Sequence, residues 1–146
     1  MQIVNLMTPD PIAINPADTL ANAKAVMDEG RFRRLPVVED GRLVGILTER
    51  DIREHLGYLG STRVNAAMRT ALITVTPYDT VESAAQLMLK HKIGGLPIAT
   101  GGKLVGIVTT SDLLKAFLWI SSGSTIRDTR QPNQADAENR SVDRGT

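Results

Sequence analysis

A shift of 61 residues lays positions 7–55 of the chain over positions 68–116 without a gap. Sixteen of the 49 paired positions are identical. They include Met7/Met68, Pro16/Pro77, Asp18/Asp79, Thr19/Thr80, Ala23/Ala84 and Met27/Met88 in the first half of the repeat. In the second half they include Leu35/Leu96, Pro36/Pro97, Gly41/Gly102, Gly45/Gly106, Thr48/Thr109 and Asp51/Asp112. Two copies, rather than the three or more of a solenoid, predict a pair related by a pseudo-twofold axis. About fifty residues are too few to close a good core alone, so each copy needs the other.

Each copy reads as strand, helix, strand, strand, helix. Residues 12–14 and 73–75 are short alternating apolar segments stopped by Pro16 and Pro77, which predicts brief strands. Asp18 and Asp79 stand where an N-cap belongs, and Glu82 follows Asp79 at capping-box spacing. Leu20, Ala23, Val26 and Met27, and then Val81, Ala84, Leu87 and Met88, repeat at helical spacing. Gly30 is a stop for the first helix, and His91 with Lys92 suits the last turn of the second. Asp40-Gly41 and Gly101-Gly102 lie between apolar runs and predict hairpins. A further helix follows each hairpin, at 49–55 and 110–119. Two β-α-β-β-α repeats of mixed α/β (α+β) class result, at residues 1–60 and 61–120. Residues 57–62 form the linker, and 121–146 have almost no apolar content and read as a flexible polar tail.

Composition narrows the function. The chain has no cysteine, which excludes disulfides, thiolate metal sites and cysteine nucleophiles. Two histidines and no HExxH argue against a zinc hydrolase, and no metal site is expected. A formal net charge of +1 and 3% aromatic residues supply neither a basic stripe nor a stacking platform, so nucleic acid is disfavoured as a partner. No apolar run approaches the ~20 residues of a membrane span, and the first residues lack the pattern of a signal peptide. The expectation is a soluble cytoplasmic protein. No nucleophile stands with a base and no P-loop is present, so no catalytic residue is assigned.

The chemically pointed element is T-x-x-D, at Thr48 with Asp51 and at Thr109 with Asp112. One reading is a capping box that closes the helix start. The other uses the same geometry for a ligand. Free amides and a Thr hydroxyl suit a phosphate, while an Asp can accept two hydrogen bonds from a ribose diol. Duplication alone would carry the motif into both copies, so both readings stand.

MTPDPIAINPADT…RRLPVVEDGRLVGILTERD and MRTALITVTPYDT…GGLPIATGGKLVGIVTTSD together resemble tandem CBS domains, the cystathionine-beta-synthase type repeat, two of which make one Bateman module. The resemblance covers residues 1–119 and extends to small stand-alone CBS-pair proteins. It implies two clefts between the repeats that take an adenosyl ligand such as AMP, ADP, ATP, S-adenosylmethionine or an NAD-type molecule, as a regulatory ligand and not a catalytic cofactor. It implies phosphate and ribose contacts at Thr48, Asp51, Thr109 and Asp112. It places the adenine slot along Ile12, Ala13 and Ile14, and along Ile73, Thr74 and Val75. Leu35, Pro36 and Val37, with Leu96, Pro97 and Ile98, lie beside the base. Arg34 and Arg50 are implied in phosphate contact, with Gly95 and Ser111 as their counterparts in the second copy. Unequal clefts follow, because an arginine fork binds phosphate and glycine offers only backbone.

Met27 and Met88 read as packing residues, and His55 and His91 as surface or helix-end residues. Leu118, Trp119 and Ile120 suit either closure of the core or a dimer contact, and the resemblance, which implies a homodimer, favours the dimer contact. The expected function is a non-catalytic ligand-sensing module that acts on a dimer or on an unidentified protein partner. The competing reading is a structural dimerisation module with no nucleotide. A transcription regulator is disfavoured by the lack of a helix-turn-helix signature.

Overall fold

The structure, a computed structural model, describes residues 1–123. Beyond residue 123 the expected tail lies outside the described residues. A 3-10 turn at Ile3–Asn5 precedes β1 (Thr8–Pro9) and α1 (Leu20–Gly30). The first hairpin is β2 (Arg34–Glu39) and β3 (Arg42–Thr48), followed by α2 (Glu49–Arg53) and α3 (Val64–Ala67). After α4 (Val81–His91) come β4 (Gly95–Thr100), β5 (Lys103–Thr109) and α5 (Thr110–Ser121). The mixed class predicted from the repeat is present, with antiparallel hairpin strands and helices in each copy. Among the described residues no helix is long and apolar enough to cross a membrane.

Two compact units form, and each holds most of one repeat plus the leading segment of the other. One comprises Asp10–Thr74 with Ala99–Val105. Its core is Ile14, Leu20, Ala23, Met27, Leu35, Val37, Leu47, Ile52 and Val64. Burying a side chain of this kind contributes about 1.5–3 kcal/mol. The second unit comprises, among the described residues, Met1–Pro9, Val75–Ile98 and residues 106–123. Ile3, Ala84, Met88, Leu96, Ile98 and Val108 are buried in it.

The leading segments dock in the same way. In the first unit Val64 N–H donates to Asp18 O at 2.8 Å, Asn65 N–H to Pro16 O at 3.0 Å, and Leu20 N–H to Thr62 O at 2.8 Å. In the second, Ile3 N–H donates to Asp79 O at 2.9 Å, Val4 N–H to Pro77 O at 2.8 Å, and Val81 N–H to Met1 O at 2.9 Å. Val64 and Ile3, which are equivalent under the 61-residue shift, are both fully buried.

Both hairpins turn as predicted. Asp40 and Gly41 have φ of 53° and 80°, and Gly101 and Gly102 have 60° and 84°. Positive φ at both central residues is the type I′ geometry that matches strand twist. Strand β2 pairs with β3 from Arg34↔Thr48 to Val37↔Gly45, then shifts register at Val38↔Leu43.

Three local expectations are corrected. Residues 12–14 and 73–75 are not strands. Each contributes a single parallel bridge, Ile14↔Val37 and Val75↔Ile98. Prolines explain this, because Pro16 and Pro77 lack the N–H that would extend the ladder. The N-caps of α1 and α4 are Thr19 and Thr80, whose hydroxyls accept from Asn22 N–H and Ser83 N–H at 3.1 and 3.0 Å. Asp18 and Asp79 instead accept from Asn15 N–H and Thr76 N–H at 3.3 and 2.8 Å, closing the preceding Pro-containing turn. Glu82 therefore takes no part in a capping box. Helix α2 stops at Arg53 rather than His55, whereas α5 runs through Ser121.

Candidate functional site

Both T-x-x-D motifs are full capping boxes. Thr48 and Thr109 N-cap α2 and α5, and each hydroxyl accepts from the backbone N–H of its Asp at 3.3 Å. The carboxylate returns the contact. Asp51 Oδ2 accepts from Thr48 N–H and from the Thr48 hydroxyl, both at 2.9 Å. Asp112 Oδ2 accepts from Thr109 N–H at 2.8 Å and from its hydroxyl at 3.1 Å. Each Thr proton is thus already given to its Asp. A phosphate at Thr48 or Thr109 has to compete with that bond.

The two carboxylates differ beyond this point. Asp51 is buried, and its Oδ1 accepts from Arg69 Nε at 3.2 Å and from Arg69 Nη2 at 3.1 Å. The Arg69 backbone is held by paired hydrogen bonds with Ile46 at 2.8 and 2.9 Å. Asp112 is half-buried, and among the described residues Thr109 alone bonds its side chain. Sequence reading missed Arg69. Its only signal was a cation at the position where the first copy has Thr8.

Arg34 joins the first cluster because strand register sets it opposite Thr48. Its guanidinium pKa lies below the usual arginine value, first through burial and then through the neighbouring positive charge of Arg33. Gly95, its counterpart, is buried and brings no charge. Arg50 is exposed and faces Glu54 at 3.7 Å, outside the Asp51 contacts. Ser111 is exposed as well.

The remaining expected positions divide by burial. Ile14, Leu35, Pro36 and Val37 are core, as are Val75, Leu96, Pro97 and Ile98. Ile12, Ala13 and Thr74 are exposed, and Ile73 is half-buried. A groove of about 190 Å³ between α1 and α2, lined by Met27, Ile52 and Leu56 among others, shares no residue with the Arg34, Thr48, Asp51 and Arg69 cluster.

The CBS domain family model matches residues 3–58 and 64–118. The chain belongs to the CBS-domain family. It is 38% identical over 114 residues to the CBS domain-containing protein YhcV of Bacillus subtilis, across 76% of this chain and 81% of that one. Among solved structures, CBSX2 in complex with AMP superposes with a TM-score of 0.74 at 26% identity, covering 82% of this chain and 98% of that one. The CBS domain pair of protein MJ0100 in complex with 5-methylthioadenosine and S-adenosyl-L-methionine superposes with a TM-score of 0.74 at 27% identity, covering 80% and 95%. The capping boxes are therefore the T-x-x-D elements of two CBS repeats.

Proposed function

We propose that this CBS pair is a non-catalytic regulatory module that binds an adenosyl nucleotide, of AMP, ADP, ATP or S-adenosylmethionine type. One observation carries the reading. Asp112 is oriented by two bonds from Thr109 and keeps an oxygen without a partner among the described residues. A carboxylate so held can accept from a ribose diol. The complexes of CBSX2 with AMP and of MJ0100 with adenosyl ligands support the same ligand class. Arg34, a partly buried cation, supplies charge for a phosphate in the first repeat.

Binding regulates by favouring whichever state of the protein holds the ligand better. A homodimer is the state we assign to that equilibrium. Leu114, Phe117, Leu118 and Ile120 on α5 are all more than half exposed, an apolar surface suited to a second copy.

Thermal unfolding with a panel of adenosine, AMP, ATP and S-adenosylmethionine tests the proposal. A ligand at about 100 times its Kd adds roughly 2.7 kcal/mol of stability. No response to any member would leave a structural dimerisation module as the function.

A further inference from the structure

The Asp51 carboxylate has no acceptor left for a sugar. Thr48 holds one oxygen and Arg69 the other, and the side chain is 5% exposed. A ribose diol reaching Asp51 must first displace the guanidinium. That exchanges a charge-assisted contact for neutral hydroxyl bonds and strands a buried charge, which is unfavourable. The Arg69 backbone is pinned to Ile46 on both sides of the bridge, which roots the half-exposed side chain beside Asp51.

The second repeat lacks this guard. Under the 61-residue shift, Met68-Arg69 corresponds to Met7-Thr8, and threonine carries no cation. Asp112 is held by its Thr just as Asp51 is, so the difference in hydrogen bonding between the two carboxylates comes down to one side chain.

We propose that Arg69 is the specificity-determining residue that closes the first repeat to a ribose, so that Asp112 receives the first nucleotide. The inference rests on the nucleotide-binding reading above and deepens it by saying which of two similar motifs is open. Arg69 acts through Asp51 and is a positioning residue, not a ligand contact.

Calorimetric titration of the full chain with AMP gives the stoichiometry. The wild-type chain is expected to bind one tight equivalent. Arg69→Thr, which installs the residue of the first copy, is expected to bind two. Adding Asp51→Asn to Arg69→Thr should return the count to one. Two equal equivalents in the wild-type chain, or a count unchanged by Arg69→Thr in a folded variant, would overturn the assignment. A measurement on the wild-type chain covers the case in which Arg69→Thr does not fold. The Arg69 Nε–H resonance should stay in place through the first equivalent of AMP, and its displacement by that equivalent would equally overturn the guard. Absence of heat with adenosine, AMP and S-adenosylmethionine, in both the wild-type chain and Arg69→Thr, would instead end the nucleotide reading and the inference with it.

Discussion

Gly45 lies against Met68 with no space for a side chain between them. A Cβ on Gly45 would stand 2.5 Å from the Met68 sulfur and 3.1 Å from the Arg69 carbonyl oxygen. Gly106 repeats the relationship, with the Met7 sulfur at 2.9 Å and the Thr8 carbonyl oxygen at 3.0 Å. The identities Met7/Met68 and Gly45/Gly106 are therefore one contact made twice, a leading segment laid across a hairpin strand.

Gly45→Ala and Gly106→Ala should each destabilise the protein by about 1–3 kcal/mol, the range for overpacking a filled site. A methionine can swing aside, but a backbone carbonyl held in a bridge gives way less readily. Gly60→Ala is the control, since nothing lies within 4 Å of its Cβ position. Urea unfolding of the three variants measures this, and equal midpoints would contradict the close approach.

Thr109→Val removes the hydroxyl that caps α5 and orients Asp112. Loss of an N-cap costs about 0.5–2 kcal/mol. Nucleotide affinity should fall in parallel, because the carboxylate loses one of the two bonds that aim it. Thermal unfolding and AMP titration of the same variant separate the two effects. A stability loss with unchanged affinity would leave Thr109 as a cap alone.

Arg34 carries charge where folding disfavours it. Its folded pKa is lowered from the usual arginine value by burial first and by Arg33 second. For a base with a lowered pKa, the cost is full at every pH below the folded value, so it is constant across the neutral range. A bound anion offsets it, and pH does not. Arg34→Met should leave the free protein as stable as the wild type or more so. In the Arg69→Thr background, where the first repeat is open, it should lower that repeat's affinity for ATP more than for adenosine. A less stable free protein would show that the guanidinium has a stabilising partner.

Leu118→Asp should convert a dimer into a monomer, because it buries a charge in an apolar interface. Light scattering on the full chain reads the mass directly. A wild-type chain that is already monomeric would remove the homodimer from the proposed function. Leu118 is 65% exposed, so the monomer's own stability should change by less than about 0.5 kcal/mol.

What the chain of residues determined alone is everything encoded within a few positions. Asp40-Gly41 and Gly101-Gly102 specify type I′ turns because their φ angles are positive and the strands beside them need that twist. T-x-x-D specifies a capping box because hydroxyl, carboxylate and two amides meet within one helical turn. The 61-residue repeat then announced that whatever one copy does locally, the other does too. Even locally, competition between neighbours escaped the reading. Asp18 and Asp79 were eligible as caps, but each closes its own proline turn and leaves the cap to the following threonine. Tertiary structure alone decided which leading segment packs on which hairpin, and hence that Ile3 joins Asp79 while Val64 joins Asp18. It also decided that Arg69 meets Asp51, a pairing 18 residues apart that no turn or helix period links. Two motifs that read alike became a guarded carboxylate and an open one, because burial and charge pairing depend on what the rest of the chain brings alongside.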